Sequence, residues 1–118
     1  MIETAELQEK MNQCYGTEVY YRHPMFPQYH YTEGVQTFCE NAEAYWFLTD
    51  VLLELSTRLI KESFVSIHLI VEGNKAVVKY CDGDDKPLKA VHYDFTDCPD
   101  GDWNFFFIDG VLLWHMEY

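Results

Sequence analysis

The sequence predicts a single α+β domain, with about three N-terminal helices packed on one face of a C-terminal antiparallel β-meander of about five strands. The first observation is a change of hydrophobic period after Ser63, from the helical repeat to the two-residue repeat of strands. The second is a pair of tight-turn signals, Gly73-Asn74 and Asp109-Gly110. The third is size, because 118 residues with 48% apolar types suffice for one compact domain over residues 1–118.

Two helices are expected before the midpoint of the chain. Thr4 is a candidate N-cap for the first, and Gly16 is a natural stop after it. Thr32 is a candidate N-cap for the second, and Glu33 follows in the first turn, where a carboxylate suits the helix dipole. Apolar side chains at helical spacing give each helix one face to bury; they are Ala5, Leu7, Met11 and Cys14, then Val35, Phe38, Cys39 and Ala42.

The segment between these helices is rich in aromatic side chains and contains Pro24 and Pro27, which forbid one continuous helix. It is expected to be a connector with two interpretations. Its side chains form a stacking surface for a base or a peptide, or they cover the helix–sheet core with their hydroxyls at the edge, which we favour. The side chains concerned are Tyr20, Tyr21, Arg22, His23, Tyr29 and Tyr31.

A third helix is expected over residues 44–62, AYWFLTDVLLELSTRLIKE. An apolar stripe runs along it at intervals of three and four residues, and additional large apolar side chains widen that stripe, so this helix is expected to be the central one. The sequence does not decide whether it continues from the second helix near Asn41-Ala42. The stripe consists of Tyr45, Leu48, Leu52, Leu55 and Leu59.

The C-terminal half alternates between apolar and polar side chains, as half-buried strands do. The segments FVSIHLIVE, KAVVKYC, LKAVHYDFTD, WNFFFI and VLLWHM are the five expected strands. In the first, one face is expected to consist of Val65, Ile67, Leu69 and Val71. The last two segments flank Asp109-Gly110, so the chain is expected to close its core with a terminal hairpin.

Composition limits the function classes. The formal net charge is −12, from 20 Asp and Glu against 8 Lys and Arg, and no basic patch is present. Direct binding of nucleic acid or of an anionic membrane is therefore not expected. An acidic surface suits solubility or a basic protein partner. The N-terminal segment lacks the pattern of a secretory signal, and Cys14, Cys39, Cys81 and Cys98 have no metal-binding spacing, so reduced thiols in a cytoplasmic protein are expected.

Two acidic loops are the first candidates for chemistry. One contains Asp82, Asp84 and Asp85, and the other contains Asp97, Asp100 and Asp102. Clustered carboxylates can bind calcium or magnesium, but ordinary turn chemistry is the favoured interpretation. Strand direction places the two clusters at opposite ends of the sheet, so they are not expected to form one site. No metal and no cofactor is expected.

The histidines are the second candidate. His68 and His92 are expected on the outer sheet face, near Ser66 and Asp94, where a His–Asp pair could titrate or simply be solvated. The sequence contains none of the common phosphate-binding, serine-hydrolase or zinc-protease motifs. The expectation is therefore a protein that is not an enzyme.

Four short segments carry a family resemblance: GTEVYYRH (16–23), YTEGV (31–35), AYWFLTD (44–50) and the closing IDGVLL and EY within 108–118. They resemble the family named domain of unknown function 6876, small proteins of bacteria, phages, plasmids and conjugative elements. This sequence departs from the family pattern in its acidic loop TDCPDGDW and in its ending LLWHMEY. The family has no established activity, so the resemblance supplies no catalytic residue and implies the context of a mobile-element accessory protein.

These observations lead to one expected function. It is an acidic, non-enzymatic interaction protein of a phage or mobile element that binds and inhibits a host protein with a basic, nucleic-acid-handling surface, as anti-CRISPR and anti-restriction proteins do. The expected contacts are the six aspartates of the two loops, with Trp103 and Trp114 as exposed aromatic anchors.

Two alternatives stay open. The first is a homo-oligomeric structural or regulatory module whose terminal strand is an exposed edge, with Trp114 and Met116 buried in a homodimer seam. The second is a small-ligand binder or enzyme that uses His68, His92 or the tyrosine-rich connector.

Overall fold

The computed structural model describes residues 2–16, 18–57 and 62–118. In these residues the helices and strands follow one another as α1 (Thr4–Met11), β1 (Tyr20–Arg22), β2 (His30–Thr32), α2 (Glu33–Ala42), α3 (Tyr45–Thr57), β3 (Phe64–Glu72), β4 (Lys75–Asp82), β5 (Pro87–Tyr93), β6 (Gly101–Ile108) and β7 (Val111–Trp114). A 3-10 turn over His115–Glu117 follows β7.

The sheet corrects the predicted fold class. It has seven strands in the order β1-β2-β7-β6-β3-β4-β5, and α2 and α3 lie between β2 and β3 in the chain. The expectation of N-terminal helices on a five-stranded antiparallel meander is therefore wrong. The tyrosine-rich connector supplies β1 and β2, and β2 pairs in parallel with β7, so the sheet is mixed. Strand β6 pairs with β3, which also breaks the meander.

The long strands nevertheless alternate as their sequences indicate. Val65, Ile67, Leu69 and Val71 are each at most 3% exposed and pack against the helices. Within this core the rings of Phe38, Phe47 and Phe105 meet, with centroids 5.1 Å apart between Phe38 and Phe105 and also between Phe47 and Phe105. Burying each such ring stabilises the fold by about 1.5–3 kcal/mol.

The helix boundaries have local causes. The Thr32 hydroxyl accepts a hydrogen bond from the Val35 amide at 3.4 Å, which confirms it as the N-cap of α2. Glu43 adopts a left-handed conformation with φ of 55°, so α2 and α3 are separate helices. Glu3, not Thr4, is the N-cap of α1, and the Thr4 hydroxyl donates to the Asp100 carbonyl at 2.7 Å. Leu59 of the predicted stripe lies outside the described residues.

The C-terminal segment is held by strand pairing on both sides and by hydrogen bonds to Glu117. β7 lies between β6 and β2, so the expectation that the terminal strand is an exposed dimer edge is wrong. After β7, the Glu117 carboxylate reaches the N-terminus of α2. It accepts hydrogen bonds from the Thr32 hydroxyl at 2.6 Å, the Gly34 amide at 3.1 Å and the Trp114 amide at 2.9 Å. A carboxylate at this position also suits the helix dipole.

The sheet has two different faces. One packs on the helices through the core described above. The other, which we name the open sheet face, lies on the side of the strands away from α2 and α3. The register of the strands places on this face the side chains of Tyr20, Arg22, His30, Thr32, Phe64, Ser66, His68, Ile70, Glu72, Lys75, Val77, Lys79, Ala90, His92, Asp102, Asn104, Phe106, Ile108, Val111 and Leu113.

Candidate functional site

A depression lies where α3 meets the end of β5 and the loop that follows. Its volume is about 360 Å³. We name it the acidic–aromatic depression, because most of its lining consists of carboxylates and aromatic rings. Its lining consists of Glu43, Trp46, Asp50, Tyr93, Phe95, Thr96 and Asp97.

Side chains one turn apart on α3 build one wall of this depression. The ring centroids of Trp46 and Tyr93 are 4.9 Å apart, and the Tyr93 hydroxyl donates to Asp50 Oδ2 at 3.1 Å. One turn further along α3, Glu54 forms an ion pair with Lys89 of β5 at 2.5 Å. These contacts fix the position of α3 over the edge of the sheet and hold the Trp46 ring and the Asp50 carboxylate in place.

The depression is electrostatically negative. Burial, followed by the charge of Asp50, raises the pKa of Tyr93 above its ordinary value, so the phenol stays a neutral donor. Glu43 and Asp97 are exposed, and within residues 2–16, 18–57 and 62–118 no basic side chain pairs with Glu43, Asp50 or Asp97. Phe95 presents its ring to solvent and is 68% exposed. An unneutralised acidic site with accessible rings suits a cation.

More carboxylates lie on α1, on α2 and in the loop before β6, on the helical side of the molecule. The hydrogen bond from Thr4 to Asp100 holds the loop that precedes β6 beside α1. In α1, α2 and α3 as described, Lys10 is the single basic residue. The exposed carboxylates of these helices and their caps are Glu3, Glu6, Glu9, Glu33, Glu40 and Glu43, which with Asp97 and Asp100 we name the acidic helical face.

The first predicted aspartate cluster forms the turn between β4 and β5. Asp82 Oδ1 accepts hydrogen bonds from the Asp84 amide at 2.9 Å and the Lys86 amide at 3.0 Å. These backbone donors lower the pKa of Asp82. Asp85 adopts a positive φ of 62°, as turn residues often do. Asp82 therefore stabilises the backbone of the β4–β5 turn.

The second predicted cluster lies at the other end of the sheet. Asp82 pairs across the sheet with Val65, near the start of β3, whereas Asp102 pairs with Ile70, near its end. The prediction that the two clusters occupy opposite ends is therefore confirmed. Asp97 lines the acidic–aromatic depression, Asp100 adjoins α1, and Asp102 lies on the open sheet face.

The two predicted aromatic anchors are in the core. Trp103 and Trp114 are each 1% exposed, so the expectation that they are exposed anchors is wrong. The Trp103 indole donates to the Pro99 carbonyl at 3.1 Å, and its ring lies 5.5 Å from that of Phe38. Strand alternation is the reason, because both tryptophans share the inward face with Phe105.

The accessible rings next to the acidic loop are instead those of Trp46 and Phe95. Phe95 lies two residues beyond Tyr93, the last residue of β5. It is therefore outside the strand, and the alternation of buried and exposed side chains does not extend to it. Trp46 and Asp50 share one stripe of α3, which the helical spacing of their positions could have revealed. Their contacts with Tyr93 depend on how α3 packs on β5, and no local sequence pattern predicts that packing.

The histidine candidates are separated. His68 and His92 do share the open sheet face, as predicted, but β4 lies between their strands and their rows differ. The His68 ring lies 2.5 Å from Asn104 Oδ1 and 3.4 Å from the Ser66 hydroxyl. His92 lines a wide depression with Ile70 and Val77 at the β3–β4 turn. The two rings therefore do not line a common pocket.

The tyrosine-rich connector divides between core and surface. Tyr29 is 6% exposed and meets Phe107 edge-on at 5.3 Å. His23 is 7% exposed, and its Nδ1 accepts from the Met25 amide at 3.1 Å. Tyr20 and Tyr21 remain exposed, and Tyr21 stacks on Tyr31 at 5.4 Å.

The fold and this site together define an acidic α+β protein with a mixed sheet. A family profile described as Family of unknown function (DUF6876) matches residues 5–118, so the chain belongs to the DUF6876 family. No curated protein and no solved structure matches it. Among the described residues, no helix combines the length and apolarity needed to cross a membrane, and no three His, Cys, Asp or Glu side chains are grouped to hold a metal ion.

Proposed function

We propose that this protein is a non-enzymatic interaction protein that binds a basic surface of a nucleic-acid-handling protein and inhibits that protein by occupying the surface. The acidic–aromatic depression would receive a Lys or Arg side chain of the partner. The observation that carries the proposal is the meeting of unneutralised Glu43, Asp50 and Asp97 with the rings of Trp46 and Phe95 in one depression.

The chemistry of this depression favours a cation over other ligands. A guanidinium or ammonium group over a Trp or Phe ring gains about 0.5–2 kcal/mol, depending on how far it is desolvated. Carboxylates at the rim add charge-assisted hydrogen bonds, and a planar guanidinium can engage a carboxylate with two parallel bonds. Arg is therefore the preferred side chain, with Lys second.

The acidic helical face would bring the partner to this depression. Its carboxylates project a negative potential that attracts a basic groove before contact is made. Grooves that bind phosphate backbones present clustered Lys and Arg. In the mobile-element context that the family resemblance implies, such a partner would be a restriction or CRISPR effector protein, and nucleic acid would compete for the same groove.

Binding to a labelled arginine-rich peptide tests the cation site without knowledge of the partner. The variant Glu43→Gln/Asp97→Asn removes two charges from the depression, and Asp84→Asn/Asp85→Asn removes two from the opposite end of the sheet. By fluorescence anisotropy we expect the first to weaken binding about tenfold, or about 1.4 kcal/mol, and to flatten the salt dependence. The matched control should stay within about twofold of wild type.

If both double variants lost the same affinity for the peptide, a localised site would be contradicted. The net charge of the protein would then be enough to explain the binding. Capture from bacterial lysate at low and high salt then identifies the partner. A captured protein that nucleic acid displaces supports the inhibitory role. A partner whose binding does not change with salt, or with the Glu43→Gln/Asp97→Asn variant, contradicts it.

A further inference from the structure

One end of the open sheet face carries a cluster of aromatic rings. The centroids of Phe64 and Phe106 are 5.2 Å apart, and Tyr118 lies 5.4 Å from Phe106 and 6.2 Å from Phe64. Tyr118 is 76% exposed, whereas Phe64 and Phe106 are half-buried. The Tyr118 ring therefore projects from an apolar base into solvent.

An apolar hollow lies directly beside this ring. Its volume is about 340 Å³, and Ile108, Val111 and Leu113 form much of its wall. Tyr20 and Tyr118 line it as well, and Tyr20 is 55% exposed. Thr32 and Glu117 complete the lining, and the Glu117 carboxylate is held there by the hydrogen bonds described above. A projecting ring and a hollow of suitable chemistry thus occupy the same surface. A two-fold interface requires this kind of self-complementarity, because each copy must supply both the projection and the hollow.

Charge identifies which face two copies of this chain can share. The acidic helical face would repel its own copy, because the chain carries a formal net charge of −12. The charges of the open sheet face and its hollow are balanced, with Arg22, Lys75 and Lys79 against Glu72, Asp102 and the Glu117 carboxylate of the hollow. Two copies can therefore approach closely on this face without bringing their excess carboxylates together.

We propose that the open sheet face is an interface between two copies of this chain, related by a two-fold axis, with the Tyr118 ring of each copy in the hollow of the other. The interface lies on the side of the sheet opposite the acidic helical face. A dimer would therefore present two acidic–aromatic depressions outward, and the inference does not depend on the proposed function.

Sedimentation equilibrium of the whole chain tests this interface. We expect wild type to be a dimer at tens of micromolar, and expect Tyr118→Ser and Tyr20→Glu each to raise the dimer dissociation constant at least about tenfold. Both residues are exposed, so circular dichroism should stay close to wild type. Thermal unfolding should also match, when it is measured at concentrations where the wild type is monomeric. Tyr15→Ser removes a ring that is 70% exposed elsewhere and should leave the dimer intact.

Two results would overturn the inference. One is a wild-type chain that stays monomeric up to about 1 mM. The other is a dimer whose dissociation constant Tyr118→Ser and Tyr20→Glu leave unchanged. Salt separates this interface from the cation site: added salt should strengthen the dimer by screening repulsion, and should weaken binding of the arginine-rich peptide.

Discussion

At the scale of single residues, the contact between Gly34 and Glu117 joins the first turn of α2 to the C-terminal segment. The Glu117 carboxylate sits against the first turn of α2, where Gly34 leaves room for it. A Cβ atom at position 34 would lie 2.3 Å from Glu117 Oε1, which is closer than real contacts allow. Glycine therefore lets the carboxylate lie here, and an added Cβ would push the flexible end of the Glu117 side chain away from its hydrogen-bond donors Thr32, Gly34 and Trp114.

Gly34→Ala should therefore displace the Glu117 carboxylate and lower the free energy of unfolding by about 1–3 kcal/mol, despite the better helix propensity of Ala. Urea denaturation measures this loss. Gly83→Ala is the matched control, because its Cβ would meet Phe64 at an ordinary 3.7 Å. Adding Glu117→Ala to Gly34→Ala should cost less than the sum of the single losses, and strict additivity would contradict the clash.

A second residue-scale property is the acid sensitivity of His23. Burial lowers the pKa of this histidine below its ordinary 6.5, and its Nδ1 accepts from the Met25 amide. The unfolded state therefore binds the proton more readily than the folded state. Stability should be fully present above pH 6.5 and should fall as the pH drops below that value toward the folded pKa.

Thermal unfolding of wild type and His23→Gln between pH 7.5 and 5 measures this contribution. The wild-type advantage should shrink as the pH falls, because the variant has no proton to take up at that position. The pKa of His115 is lowered by burial as well, so His115→Gln serves as a separate comparison. A difference between wild type and His23→Gln that is constant with pH would contradict this account.

At the scale of secondary structure, the strands that alternate over seven or more residues could be read from the sequence. β3 is an example, because Val65 to Val71 face the core at every second position. β1 and β2 have three residues each and lie in a proline-containing segment, so they carry no alternation to detect. The parallel pairing of Tyr31 with Leu112 joins distant parts of the chain, and no local pattern predicts it.

The candidate site was predictable only in part, for the same reason. The acidic loop over residues 97–102 is visible as composition, whereas its aromatic neighbours depend on packing. Trp46 meets Tyr93 because α3 lies alongside β5. Phe95 is exposed because β5 ends two residues before it. The expectation of exposed tryptophans fails because β6 and β7 carry apolar side chains on both faces, so their sequences do not mark which face is buried.

The edges of the sheet illustrate how an element can be protected. β5 forms one edge, begins with Pro87 and has a register shift opposite Tyr80 and Cys81. Its Lys89 points toward the helices and pairs with Glu54. Proline, irregular register and inward charge are devices that discourage pairing with another chain. The β5 edge is therefore protected from pairing with a strand of a second copy.

At the scale of the whole molecule, charge and apolar surface are segregated. Carboxylates gather on the helices and on the loop beside α1, while the open sheet face is nearly neutral and carries the Phe64, Phe106 and Tyr118 rings. The two proposed interactions use different surfaces and respond to salt in opposite directions. A single salt titration that follows both peptide binding and molecular mass would thus separate them.

The most direct test of the cation site is a map of where an arginine-rich peptide contacts the protein. Titration of the isotope-labelled chain, followed by amide chemical shifts, provides that map at each residue. The account predicts that the shifts concentrate at residues 43–50 and 93–97, around Trp46 and Phe95. Shifts centred on the β4–β5 turn at Asp82 to Asp85, or spread evenly over all carboxylates, would contradict it.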